Sequence, residues 1–210
     1  MIVVHHLNDS RSQRILWLLE ELGAPYEIKH YKRDATTRLA PPELKDVHPL
    51  GKSPVIRDGG LVVAESGAIA EYLAGKYGNG RLAPKTDFNS PNYVAYLYWL
   101  HFAEGSGMLP LMLKLYVGRL KEAGAPLAPR IESELKNHFD YMSGALGKND
   151  YFVANTFSAA DIQLSFVLDA GGSRGPVKNY PNLVALDQRL RARPAYQRAI
   201  VRGGPYEVGR

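Results

Sequence analysis

The chain has 210 residues, 45% of them hydrophobic and 22% charged, which is ordinary globular usage and enough for one large core or two modest ones. No stretch approaches the roughly 18 to 20 apolar residues of a membrane span, and the start Met1-Ile2-Val3-Val4-His5-His6 has neither the charged start nor the long apolar run of a signal peptide. A soluble cytoplasmic protein is therefore expected; its 0 cysteines exclude disulfides, thiolate metal ligands and a cysteine nucleophile, and its net charge of +5 favours anionic partners.

Residues 2 to 7 form a β-rich run, and Ile15, Leu18, Leu19 and Leu22 then recur at helical spacing until Gly23 and Pro25 stop the pattern. Residues 26 to 31 alternate as a second strand. A polar stretch containing Pro41-Pro42 follows, long enough to predict a short helix near residues 43 to 47. Residues 54 to 57 and 61 to 64, around the turn Asp58-Gly59-Gly60, predict a hairpin, and Ser66 starts a helix that runs to Tyr77. The result is a small mixed sheet with helices over residues 1 to 78. Gly78, Gly80, Pro84 and Pro91 mark a linker over 79 to 91, and 92 to 210 reads as helical throughout. Helical patterns cover 92 to 122, 129 to 146, 158 to 169, 183 to 193 and 195 to 201. Gly171-Gly172-Ser173-Arg174-Gly175 reads as a flexible interhelical loop. Arg189, Arg191, Arg193 and Arg198, with Asp187 among them, read as a solvated helix face and not as a nucleic-acid surface.

Ser10 lies just after the first strand, beside a helix start where unpaired N–H groups and the helix dipole stabilise an anion. It is either a helix N-cap or a hydroxyl that donates to a bound thiolate. Glu65-Ser66 repeats the arrangement: capping is one reading, and capture of a zwitterion by the carboxylate, hydroxyl and helix N–H groups is the other. Pro54 sits at the mouth of a strand, where its missing N–H is tolerated, and base rates alone favour a trans bond. Ser158-Ala159-Ala160-Asp161 is a capping box ahead of a buried helix. His5 and His6 are adjacent in a strand, point to opposite faces and cannot share a metal; His30, His48, His101 and His138 lack metal-motif spacing, so no metal is expected. No Gly-rich phosphate loop or nucleophile elbow is present.

Four segments in register, SRSQRILWLLEEL from Ser10, HPLGKSPVI from His48, ESGAIAEYL from Glu65 and FVANTFSAADIQL from Phe152, resemble the cytosolic glutathione transferase family over essentially the whole chain. WLHFAEGSGMLPLM from Trp99 is similar to a bacterial and fungal branch. The resemblance implies an N-terminal thioredoxin-like domain (β-α-β-α-β-β-α) followed by a C-terminal all-helical bundle, with glutathione as cosubstrate and no permanently bound cofactor. It implies that Pro54 follows a cis bond, that Ser53 offers its backbone to the cysteinyl part of glutathione, that Glu65 and Ser66 bind the γ-glutamyl end, and that Lys52 approaches the glycyl carboxylate. Ser53 departs from the family, where an aliphatic residue is usual. Ser10, four residues before Arg14, aligns with the family's serine-type sulfur activator, with Ser12 and Asn8 as alternatives. The acceptor, a small hydrophobic electrophile or a peroxide, is expected to dock against Tyr98, His101, Phe102, Met108 and Met112, for which ordinary helix core is the other reading. A homodimer is implied, in which Glu104 either reaches the partner's glutathione or is a solvated carboxylate. Neither nucleic acid nor membrane is expected as a partner. Two rival functions stand: a glutathione-dependent peroxidase or reductase working without a protein cysteine, and a noncatalytic glutathione-binding module.

Overall fold

The computed structural model describes residues 1–208. They form two compact units, residues 1–85 with 191–207, and residues 86–190 with Val208. No helix among the described residues is long and apolar enough to cross a membrane.

The first unit is a four-stranded sheet in the order β2-β1-β3-β4, made by β1 (Ile2–Leu7), β2 (Tyr26–Tyr31), β3 (Val55–Asp58) and β4 (Leu61–Ala64). β1 and β2 run parallel because α1 (Ser12–Leu22) carries the chain back between them, whereas β1–β3 and β3–β4 are antiparallel. The helix predicted near 43 to 47 is a 3-10 helix, Pro42–Asp46. The last helix of the unit's first segment, α2, is Ser66–Tyr77. Ile2, Val4 and Ile56 of the sheet and Ile15, Leu19, Ile69 and Leu73 of the two helices are at most 1% exposed and form its core.

The sequence pattern assigns all of 92–210 to the helical domain, yet residues 191–207, including α8 (Pro194–Gly203), pack with the sheet unit. The reason is a set of side chains on α1. The Trp17 ring meets Tyr196 edge-on at 5.2 Å. Glu21 accepts from Arg193 at 2.6 and 3.0 Å, and Glu20 accepts from Arg198 at 2.8 Å, Arg202 at 2.9 Å and the Tyr26 hydroxyl at 2.8 Å. Of the arginines expected to form a solvated face, Arg193 and Arg198 are thus engaged with carboxylates, and in the second unit Arg189 pairs with Asp150 at 2.7 Å.

A second knot ties α2 to the β3–β4 hairpin. Asp58 Oδ2 accepts from Tyr72, Tyr77 and Lys76 at 2.7, 2.6 and 2.7 Å, and these hydrogen bonds hold its carboxyl well below the usual carboxylate range. A depressed folded-state pKa contributes stability above the unfolded value of about 3.9 that disappears as pH falls below it. Asp58→Asn is expected to cost about 2 kcal/mol near neutral pH and to flatten the acid limb of a urea-unfolding series measured against pH.

The second unit is helical: α3 (Pro91–Phe102), α4 (Met108–Gly118), α5 (Ala128–Leu146), α6 (Ala159–Arg174) and α7 (Pro181–Arg191). The helix expected across 92 to 122 is broken by a π-helical segment, Ala103–Gly107, and a 3-10 helix, Lys121–Leu127. Pro110 explains the first break, because it has no N–H to donate back to Ser106 and its ring crowds that carbonyl. The chain widens its turn just upstream, where the Met108 N–H reaches Ala103 O. The glycine-rich segment at 171–175 is a correction of a different kind, since α6 continues through Arg174. A Cβ at Gly171 would stand 2.6 Å from both Phe139 and Val177, so glycine there permits close helix packing and marks no loop. The capping box is present as expected: Ser158 Oγ accepts from Ala160 N–H at 3.3 Å and Asp161 accepts from Ser158 N–H at 2.9 Å.

Candidate glutathione site

The turn from β1 into α1 brings Ser10, Ser12 and His6 together. Ser10 Oγ lies 2.8 Å from both Leu7 O and Ser12 Oγ and accepts from the Ser12 N–H at 3.2 Å. That last bond satisfies an amide of the helix start, so capping and a role toward a ligand are both compatible with its position. Ser12 Oγ is 2.8 Å from His6 Nδ1, and His6 Nε2 is 3.1 Å from the Gly203 carbonyl. All three are buried: Ser10 is 4%, Ser12 0% and His6 2% exposed. Burial, and next the neighbouring His30, push the His6 imidazole down to about 4, against the opposite pull of Gly203 O and Asp9. It is therefore neutral at pH 7. Asn8 faces elsewhere, its amide oxygen taking the Arg33 N–H at 2.8 Å and its amide nitrogen donating to Asp9. The first tyrosine, Tyr26, is held protonated by burial and by Glu20, with the Arg202 guanidinium 3.8 Å from its ring centre. It is built into the α1–α8 knot.

The Ser53–Pro54 bond is cis, as the family resemblance implied and base rates did not. Ser53 has a role that sequence reading missed. Its hydroxyl donates to His5 O at 2.8 Å and accepts from Leu7 N–H at 3.2 Å, continuing the β1–β3 ladder by side chain beyond the last backbone pair, His5↔Val55. Lys52 beside it is exposed, and Gly51 takes φ +58°, where an added Cβ would stand 2.9 Å from Lys45 Cγ.

Glu65 is exposed and held at φ 68°, ψ 117°, a strained conformation for a residue with a side chain. Glu65, the N-cap residue, makes no side-chain cap to α2. Ser66 Oγ instead accepts from Arg14 Nη2 at 2.7 Å, so the helix-one arginine ties the starts of α1 and α2 together. Strain at an uncapped helix start, costing of the order of 1–3 kcal/mol, is retained where a site needs the geometry. Among the described residues no cluster of His, Cys, Asp and Glu suits a metal.

The family model for the glutathione S-transferase N-terminal domain matches residues 1–75, and that for the C-terminal domain matches residues 105–194. Glutathione S-transferase 1 of Saccharomyces cerevisiae is 37% identical over 195 residues, which are 83% of this chain and 82% of the yeast protein. The chain belongs to the glutathione S-transferase family. Glutathione S-transferase 3 of Schizosaccharomyces pombe is likewise 37% identical, over 85% of this chain and 79% of its own. The crystal structure of a glutathione S-transferase from Actinobacillus pleuropneumoniae superposes with a TM-score of 0.89 at 32% identity, covering 99% of this chain and 94% of that one. A glutathione transferase of Phanerochaete chrysosporium, solved with oxidized glutathione, shares the fold at 22% identity with a TM-score of 0.80 over 96% of this chain and 94% of its own.

In the helical unit of this glutathione S-transferase, the five residues expected to line an acceptor pocket divide. Tyr98 is exposed and helps line a groove of about 550 Å³ with Val94, Trp99 and Tyr141. Phe102 is buried behind it, their rings stacked at 5.9 Å. His101 is exposed and Met112 half-buried, whereas Met108 is 1% exposed and belongs to the core. Glu104 sits half-buried in the π-helical segment.

Proposed function

We propose that the protein is a glutathione transferase in which Ser10 donates a hydrogen bond to the glutathione sulfur and favours thiolate over thiol. The observation that carries this reading is the joint presence, in one compact unit, of a serine at the β1–α1 turn, a cis-proline at the mouth of β3 and a strained Glu65 ahead of Ser66. Ser12 and Asn8 are weaker candidates, because the hydroxyl of Ser12 faces a buried histidine and Asn8 is engaged with Arg33 and Asp9.

Glutathione lies extended across these groups. Lys52 approaches the glycyl carboxylate, the Ser53 backbone pairs with the cysteinyl part, and Glu65 takes the γ-glutamyl ammonium while Ser66 and the α2 N-terminus take its carboxylate. The involvement of the Ser53 side chain with β1 suits this role, since the ladder there does not depend on the Ser53 main chain. The thiolate then attacks an apolar electrophile or a peroxide held by Tyr98, His101 and Met112, with Phe102 and Met108 behind them. The enzyme works as a homodimer in which Glu104 reaches the partner's glutathione, as the family resemblance implies. The compartment is the cytoplasm, where a chain with 0 cysteines and a diffusing thiol cosubstrate operate together.

The test is glutathione-dependent turnover of an aromatic electrophile and of an organic hydroperoxide, with glutathione affinity measured alongside. Turnover that falls in Ser10→Ala with affinity retained supports the reading; binding without turnover of either substrate would make the protein a binding module. A peroxidase remains compatible with 0 cysteines only if glutathione itself does the redox chemistry.

Glu65→Gly separates strain from function. Glycine adopts φ 68° without steric penalty, so stability should hold or rise by up to about 1 kcal/mol, while loss of the carboxylate lowers glutathione affinity about 10- to 100-fold. Thermal unfolding and calorimetric binding measured together check this, and a parallel fall in both would make Glu65 structural.

A further inference from the structure

We propose that Arg33 is a positioning residue for the sulfur site: its guanidinium fixes the Asn8–Asp9 turn and thereby the direction in which Ser10 meets the glutathione thiol. The inference rests on the reading of Ser10 as the group that meets the sulfur.

The turn needs support from outside itself. β1 pairs with β2 as far as Leu7↔Tyr31, and one further main-chain bond, from the Asn8 N–H to Tyr31 O at 3.3 Å, extends the ladder past that pair. α1 begins at Ser12, so the chain must reverse within Asn8 to Arg11. It does so with Asp9 at φ +49°, a left-handed conformation that Asp tolerates better than most residues. The carbonyls of Asn8 and Asp9 are turned toward the segment that follows β2, where Arg33 takes both.

Arg33 is half-buried and places each guanidinium nitrogen on a main-chain oxygen: Nε donates to Asn8 O at 3.1 Å, Nη2 to Asp9 O at 3.2 Å and Nη1 to Arg38 O at 2.9 Å. Its own N–H donates to Asn8 Oδ1 at 2.8 Å, so main chain and side chain grip the same turn. Two consecutive carbonyls held by one rigid planar group are fixed in orientation, which a single ammonium on a flexible stem cannot do. The link to Ser10 is then covalent. The Asp9–Ser10 peptide is planar, so holding Asp9 O sets the plane that carries Ser10 N and Cα, and from Cα the hydroxyl is aimed. The Asp9 carboxylate ties the turn separately, accepting from Arg38 Nη2 at 3.0 Å, Asn8 Nδ2 at 3.1 Å and the Glu207 N–H at 2.9 Å. Those bonds do not involve Arg33, so its loss acts on the aim of Ser10 more than on folding.

Ionisation of the bound thiol separates positioning from charge. Thiolate absorbance is followed against pH in the glutathione complexes of wild type, Arg33→Ala, Arg33→Lys, Ser10→Ala and the double variant Ser10→Ala/Arg33→Ala, with S-methylglutathione affinity and thermal unfolding measured on each. Arg33→Ala is expected to raise the bound thiol's pKa by about one unit and to lower kcat at pH 7 about fivefold, the deficit closing by about pH 9. Affinity for S-methylglutathione should stay within about twofold, because Arg33 grips the protein's own main chain. Loss of a cation would by itself raise that pKa, so Arg33→Lys decides: it keeps the charge without the fork and should shift the pKa nearly as far. It also covers the case in which the alanine variant fails to fold. In the Ser10→Ala background, Arg33→Ala should add nothing further. A pKa unmoved by Arg33→Ala, restored by lysine or raised again in the double variant overturns the proposal, as does a fall in S-methylglutathione affinity that matches the loss of rate. A pKa that Ser10→Ala leaves unmoved removes the reading of Ser10 itself, and this inference with it. One that moves in Ser10→Ala but in neither Arg33 variant removes this inference and leaves that reading standing.

Discussion

Replacing Ser10 by alanine is expected to lower kcat/KM about ten- to thirtyfold at pH 7 and far less at pH 9 and above. A free thiol of pKa about 8.5 is only about 3% ionised at pH 7, whereas one lowered by about two units is about 75% ionised. Loss of the Ser10 hydrogen bond returns the sulfur toward the first state. Part of the deficit is offset because a more basic thiolate is intrinsically more nucleophilic. The sign of the pH dependence is fixed: above the pKa of the free thiol both enzymes hold thiolate and the difference closes. Steady-state rates against a generic aromatic electrophile over pH 6 to about 9.5 check this, and a deficit independent of pH would show that Ser10 acts on something other than ionisation. Glutathione affinity is expected to change little, because the proposed binding contacts are mostly at Lys52, Ser53, Glu65 and Ser66.

The largest stability loss is expected for Asp161→Ala, about 4 kcal/mol of the 5–15 kcal/mol typical of a domain. Asp161 is 0% exposed, and its carboxylate accepts from the Phe152 N–H at 3.1 Å, the Ser158 N–H at 2.9 Å and the Ser158 hydroxyl at 3.1 Å. Alanine strands two buried backbone donors where water cannot reach them, which costs about 1–3 kcal/mol each, and removes half of the capping box. Asparagine keeps one acceptor but turns an NH₂ toward a donor, for a loss of about 2 kcal/mol. Burial pushes the Asp161 carboxyl up to about 6 despite these bonds. A folded-state pKa raised above the unfolded value of about 3.9 means that the folded form binds more protons between the two, so this contribution to stability declines as pH rises through that window. It opposes Asp58, whose contribution grows over the acid range. Denaturant unfolding of Asp58→Asn and Asp161→Ala across about pH 2 to about 8 separates the two.

Much of the fold is legible in the sequence because its signals are local. Strand alternation, Gly23 as a helix stop and the Asp58-Gly59-Gly60 turn are each set by a few adjacent residues, and the elements of the sheet unit lie within a residue or so of where periodicity puts them. Where sequence reading fails, the cause is tertiary. Gly171 looks like a helix breaker until Phe139 and Val177 are seen to occupy the space a Cβ would need. α8 belongs with the sheet unit because Glu20 and Glu21, more than 170 residues earlier, carry the carboxylates its arginines match.

The site divides the same way. Ser10, Pro54, Glu65 and Ser66 announce themselves through their neighbours in sequence, and the resemblance joins signals that are weak singly. Sequence gives the hydroxyl of Ser53 no role, because the family uses the backbone there and nothing local foretells that it bonds across to β1. His6 reads in sequence only as a candidate metal ligand beside His5. Alternation correctly sends the two rings to opposite faces, His5 to Tyr31 at 2.9 Å and His6 to Ser12 at 2.8 Å, but only the fold shows that the second of these ends a line of hydroxyls.

The most direct measurement is the ionisation of bound glutathione, followed by thiolate absorbance against pH in wild type and in Ser10→Ala. A serine-activated transferase predicts a wild-type pKa about two units below that of the free thiol and a Ser10→Ala value returned most of the way toward it. A wild-type value equal to that of free glutathione, or one unmoved by Ser10→Ala, would contradict it.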